Sequence, residues 1–241
     1  MAVEYLGIFD APSMVDLAGL PADASIENLG VGGDLASLTS IAMPPGGARK
    51  LRFSDWQRSS LDLLATASPA PLSISVSRAP LLEDLDDIAQ CCIDQQAELS
   101  IAVFDTPLLT ELQGLEPFTE LARLQASGSP EVVSLAGLQN LEVVGELVIG
   151  DHCSAPDPSL GLTDLHGLEQ LVEVADLEFS GQAELVSLAG LPTELVVGHA
   201  DMSRNPMLAQ ALINAWFAAV MLQPQGCDNL DGPPCEGICP Q

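Results

Sequence analysis

The tetrapeptide "DHCS" (151–154) sets a carboxylate, an imidazole, a thiol and a hydroxyl side by side. These are the groups of nucleophilic catalysis, but a nucleophile, its base and the group that orients the base must converge in space. Adjacency along a chain does not aim them at one another. The segment therefore reads as a loop. Two carboxylates, Glu178 and Asp201, are the residues best placed for acid–base work on a polysaccharide, if they lie on neighbouring strands. No third group stands ready to polarise or position a substrate beside them. The run "EDLDD" (83–87) puts four carboxylates around Leu85, a pattern expected of a solvated face around one core residue. In "DNLDG" (228–232) Leu230 stands where a calcium loop requires an oxygen ligand, so a plain turn is expected. None of the six cysteines forms a Cys-x-x-Cys pair, and the three histidines are scattered, which argues against zinc. The expectation is no catalytic residue, no metal and no cofactor.

Composition narrows the class further. The chain has 241 residues, 47% of them hydrophobic, enough to bury one large core or two small ones. Its 34 acidic residues against 7 basic ones give a formal charge of −27, which should repel nucleic acid and anionic lipid headgroups. The longest strongly apolar stretch, "LAQALINAWFAAVML" (208–222), contains Asn214 and is shorter than the roughly 20 residues of a bilayer span. No membrane span is expected. The N-terminal "MAVEYLGIFD" has neither a basic region nor an apolar run of the kind a signal peptide carries.

The elements that must position any functional group are set by a repeat. The hexapeptide "VSLAGL" occurs at 133–138 and again at 186–191. Outward from each copy, apolar residues recur at steps of 3, 3, 3, 3 and 2: Leu135, Leu138, Leu141, Val144, Leu147, Ile149, and then Leu165, Leu168, Leu171, Val174, Leu177, Phe179. The same ruler from Leu112 and Leu188 is interrupted once, at Glu194. Weaker copies begin at Leu17, Leu38, Leu61 and Leu85, and a last one near Ala211, with a usual interval of 23 residues. The two hexapeptides lie two units apart, 30 + 23 = 53 residues, because one unit carries an insertion of seven. The final step of 2 places two side chains on one face of a short strand. Proline beyond that strand, at Pro12, Pro80, Pro107, Pro130 and Pro206, cannot donate to a ladder and ends the pairing. One strand per coil, with coils that bury their apolar side only by stacking, predicts a mainly β, right-handed parallel β-solenoid of about nine coils of about 23 residues.

The stretch "LAGLQNLEVVGELVI" (135–149) resembles the receptor L domain, the leucine-rich-repeat-like solenoid of insulin and EGF receptor ectodomains and of bacterial and fungal surface proteins. The resemblance runs over most of the chain and is best from 98 to 206. It implies an LRR-like solenoid with a binding role, while such folds carry varied partners. The first three coils depart most, with Asp23 and Pro44 in apolar columns.

Three segments are expected: the solenoid at 1–205, a capping helix at 206–222, and a Cys/Pro/Gly-rich tail at 223–241. The helix would have Asn205 as N-cap, Pro206 at its first position and Pro224 as its stop, with Leu208, Leu212, Trp216 and Val220 on the buried stripe. The first strand begins almost at Met1 with no cap before it, which suggests upstream sequence carrying a signal or anchor. Cys227, Cys235 and Cys239 in the tail are disulfide candidates, Cys153 falls in the insertion, and Cys91 falls on an apolar column as a buried thiol.

The ruler also says which side chains leave the sheet: Tyr5, Gly7, Asn28, Gly30, Lys50, Arg52, Ser73, Ser75, Ser100, Ala102, Arg123, Gln125, Glu146, Val148, Asp176, Glu178, His199 and Asp201. This face runs from mildly basic through a Ser-rich middle to acidic, a polarity able to orient a partner. The expected function is a non-catalytic, secreted or cell-surface recognition module that binds a protein or glycan through Tyr5, Lys50, Arg52, Arg123, Gln125, Glu178, His199 and Asp201. A structural envelope or matrix protein is the alternative, and a β-solenoid polysaccharide-active enzyme is third.

Overall fold

The computed structural model describes residues 2–17, 19, 25–42, 48–150, 160–222, 227 and 229–233. Nine strands form one parallel sheet in which each strand pairs with the next in the chain: β1 (Ala2–Phe9), β2 (Ser25–Gly33), β3 (Ala48–Trp56), β4 (Ser73–Ser77), β5 (Ser100–Phe104), β6 (Glu120–Ser127), β7 (Val143–Ile149), β8 (Glu173–Phe179) and β9 (Val196–Asp201). Sequential parallel pairing requires the chain to travel once around a coil between neighbours, so this is a β-solenoid. At a strand spacing of about 4.8 Å its eight turns give a sheet of about 38 Å.

Two inward columns form the sheet side of the core. One runs Leu6, Leu29, Leu51, Ile74, Ile101, Leu124, Leu147, Leu177, Ala200, and the other runs Ile8, Val31, Phe53, Val76, Val103, Ala126, Ile149, Phe179. The step of three on the other side of each coil has a hydrogen-bonding cause. Leu115 donates its N–H to the carbonyl of Leu112 and Phe118 to Leu115; Leu138 to Leu135 and Leu141 to Leu138; Leu168 to Leu165 and Leu171 to Leu168. Each turn closes over three residues, so every third side chain points the same way, and the leucines of that side are buried. Gly114, Gly137, Gly167 and Gly190, the glycines of Leu-x-Gly-Leu, take the third position of such turns with φ between 98° and 115°, as type II turns require. The repeated hexapeptide is thus the spelling of one buried turn.

The corner after the strand is built by a left-handed residue, at Asp10, Gly33, Asp55, Arg78, Asp105, Gly128, Gly181 and Arg204. Where proline follows, it stands two positions later, and the residue between is held extended by the ring behind it. That middle residue points inward. Thr106 and Ser129 hydrogen-bond at 2.7 Å, and Gln182, Asn205 and Asn229 form a buried ladder in which Asn205 Oδ1 accepts from the Gln182 N–H and Asn229 Oδ1 from the Asn205 N–H, both at 3.0 Å.

Several local expectations are corrected. The C-terminal helix α2 spans Gln210–Ala219, shorter than 206–222. Asn205 does not cap it; its side chain is committed to Phe179 and Gln182, and the chain through Pro206 is still the corner of a coil. The buried stripe is Ile213, Trp216 and Phe217, at spacings of three and four, while Leu212 is 44% exposed. Trp216 Nε1 donates to the Pro192 carbonyl at 3.0 Å, which fastens the helix over the last coil. In that coil Leu195, not position 194, enters the core, and Glu194 is exposed. Cys91 is not the buried thiol of helix α1 (Asp86–Cys92): it is bonded to Cys92, and Cys92 is the one in the core. Asp87 is not merely solvated, since its Oδ2 accepts from the Leu61 N–H of the coil before. Cys227 is disulfide-bonded, while Cys153, Cys235 and Cys239 lie outside the described residues, as do Asp23, Pro44, Pro224 and the 151–154 segment. No helix among the described residues is long and apolar enough to cross a membrane.

Candidate functional site

Alternation along each strand sends every second side chain away from the core, and parallel register lines these up across the sheet. Tyr5, Asn28, Lys50, Ser73, Ser100, Arg123, Glu146, Asp176 and His199 are mutual partners in one row. Gly7, Gly30, Arg52, Ser75, Ala102, Gln125, Val148, Glu178 and Asp201 form the second row. The 3-3-3-3-2 ruler therefore places all eighteen residues in register. It does not gather them at one point: β1 and β9 stand at opposite ends of the sheet. Val148 belongs to the outward row by register but is only 7% exposed.

Most charges on this face are paired within it. Lys50 Nζ lies 3.5 Å from Glu27, Arg123 lies 3.2 Å from Glu146 and donates to Gln125 Oε1 at 2.8 Å, and His199 Nδ1 lies 3.6 Å from Asp176. Glu178 and Asp201 are register partners, and each carboxylate accepts from the serine two residues on, Ser180 and Ser203. Two shallow hollows flank the beginning of β3, one of about 450 Å³ lined by Glu27, Arg49, Lys50, Leu72, Ser73, Glu98 and Ser100, and one of about 410 Å³ that also includes Arg49.

A third outward row was missed: Phe9, Gly32, Ser54, Ser77, Phe104 and Ser127. It continues the alternation one step past the last inward residue, and that continuation was the available signal. Phe9 is 44% exposed and Tyr5 is 52% exposed. Their rings lie across glycines: a β-carbon on Gly7 would meet both, and one on Gly30 would overlap the Tyr5 hydroxyl. Arg49, exposed at the margin of β3, was missed because the ruler assigns only every second residue.

No known protein family matches the chain, and comparison with curated proteins finds none similar to it.

Proposed function

We propose that this solenoid is a non-catalytic recognition module of the receptor L-domain or LRR-like kind, secreted or held at a cell surface, that binds a protein or glycan on the outward face of its parallel sheet. The observation that carries this is the ordering of charge along one flat, regular surface. Lys50 and Arg52 stand on β3, Arg123 on β6, and Glu146, Asp176, Glu178 and Asp201 on β7 to β9, in an otherwise strongly acidic molecule. Ordered charge of this kind selects the orientation of a partner more than it sets affinity. Arrays of glycans and of surface-protein peptides, followed by charge reversal on and off the sheet, test the proposal: loss of a captured ligand only with reversal on the sheet supports it.

A second reading, a structural envelope or matrix protein, draws on β1. That strand is the last of the sheet, and Val3, Leu6 and Met14 beside it are only partly covered. An edge with apolar flanks favours pairing with a further strand, whether of this protein or of a second copy. Regular assemblies in solution, abolished by proline in β1, would mark that reading. The third reading, a polysaccharide-active enzyme, would require release of reducing ends or unsaturated sugar, lost on Glu178→Gln.

A further inference from the structure

Resting on the sheet-face reading, we infer that the β1–β3 end of the face is a subsite for an acidic sugar chain, with a uronate carboxylate held by Arg52 and Arg49 and a neighbouring sugar ring laid on Tyr5 and Phe9. Two independent observations meet at this end. The first concerns cations. In a chain with only 7 basic residues, Arg58 is used to bind the Leu35 and Leu38 carbonyls and Asp62, and Arg78 to bind Asp55 through two bonds. Arg49 and Arg52 make no side-chain hydrogen bond or ion pair among the described residues, despite 34 acidic residues in the chain. An arginine fork left open at a surface fits a carboxylate through two parallel bonds.

The second observation concerns aromatic rings. Of nine aromatic residues, all within the described portion, seven are buried or partly covered, and only Tyr5 and Phe9 are exposed. Both lie on the outward rows, two strands from Arg52, over Gly7, Gly30 and Gly32. Glycine there keeps the sheet flat beneath the rings. A flat ring beside open guanidinium groups and the hydroxyls of Ser73, Ser75 and Ser54 matches a sugar: its C–H face stacks, its hydroxyls find polar partners, and its carboxylate meets arginine. An acidic peptide would use the arginines but has no need of the shelf.

The same electrostatics limit the charge density of the ligand. Glu27 and Glu98 line the hollow that Arg49 also lines, and the chain as a whole carries a formal charge of −27. A densely charged polyanion is repelled beyond the patch, whereas charges spaced several sugars apart are screened from one another within about 8 Å at physiological salt. The ligand is therefore a mostly neutral glycan with isolated uronates.

The probe is an oligosaccharide carrying one glucuronate per neutral repeat, titrated beside the same oligosaccharide with its carboxyl reduced to the alcohol and beside poly-glutamate. Saturable binding of the first alone is expected, weakened about tenfold or more by Arg52→Ala and by Tyr5→Ala, in variants that melt as cooperatively as the parent. Glu131→Lys, at an exposed position outside every strand, should leave it unchanged. Equal binding of the reduced sugar, binding of poly-glutamate that ignores Tyr5→Ala, or no saturable binding of the uronate probe would overturn the proposal. If the glycan fails but another array ligand is lost in the combined Arg52→Glu and Glu178→Lys variant, the sheet-face reading stands without it. If ligands bind and ignore that variant, both fall.

Discussion

Gly137 sits against the carbonyl of Leu112 in the coil before it, so close that a β-carbon there would overlap the carbonyl oxygen. Gly167 meets Leu135, and Gly190 meets Leu165, in the same way. In the first described coil a β-carbon on Gly19 would touch nothing among the described residues. The glycine of Leu-x-Gly-Leu thus serves both the turn it sits in and the stacking of one coil on the next. Gly137→Ala should cost more than about 1 kcal/mol, because its φ of 106° strains any side chain and the clash is with backbone. Denaturant unfolding measures this; a cost below a few tenths would contradict the close stacking.

Leu138, Leu168 and Leu191 share one phase of the repeat and are 1%, 0% and 6% exposed. Truncating Leu168 to Ala should cost about 2–5 kcal/mol, the usual range for a leucine in a packed core that collapses only partly. A shift of the urea midpoint too small for 1 kcal/mol would put Leu168 outside the core.

The last coil separates what could be read in the sequence from what could not. Apolar spacing identified the strands, the stacking and both outward rows, since burial forces period and register together. It stumbled at Glu194, where one residue of slack in "GLPTEL" (190–195) lets Leu195 take the inward place. Likewise Asn205 has the right chemistry to cap a helix, and only its contacts with Phe179 and Gln182 in the neighbouring coil reveal another use. Local spelling does not carry such long-range partners. Leu195→Ala should cost about 2 kcal/mol or more, and Glu194→Ala should fall within about 0.5 kcal/mol of zero. Comparing the two melting curves decides the register.

The buried ladder predicts a sharp penalty for losing one amide. Asn205→Leu removes the acceptor of the Gln182 N–H and the donor to the Phe179 carbonyl, leaving both buried and unpaired. Each orphaned group costs about 1–3 kcal/mol. Faster hydrogen exchange at the Gln182 amide is the direct readout, and unchanged exchange would mean that the ladder is not formed.

Stability should also depend on pH through Asp87. Burial is the main cause raising its carboxyl above the ordinary value; the Leu61 N–H pulls it down, and Asp62, Asp84 and Asp86 add to the rise. A raised folded-state value means that folding favours the protonated acid. This contribution is fully present below the unfolded value of 3.8 and is lost as pH rises through the folded one. Asp87→Asn retains an acceptor for Leu61 and carries no charge, so it should gain stability relative to the parent at neutral pH, with the gain shrinking toward pH 3. A difference that grows on acidification would reverse the sign and refute the argument.

Glu116 and Glu169 are unsuitable as off-sheet controls, since each carboxylate accepts the N–H of a turn glycine, Gly114 or Gly167. Glu111 and Glu131 are exposed, stand outside every strand, and serve instead.

The most direct measurement of the recognition surface exchanges its polarity without altering net charge. The double variant Arg52→Glu with Glu178→Lys inverts the two ends of the face and leaves the molecule at −27. Binding of any ligand captured on the glycan and peptide arrays is titrated at one salt concentration against this variant, the parent, and Glu111→Lys with Glu131→Lys. Sheet-face recognition predicts that the polarity-inverted protein stays folded but loses about tenfold or more in affinity, while the off-sheet variant binds as the parent does. Unchanged affinity in the inverted protein, or an equal loss in the off-sheet variant, would contradict it.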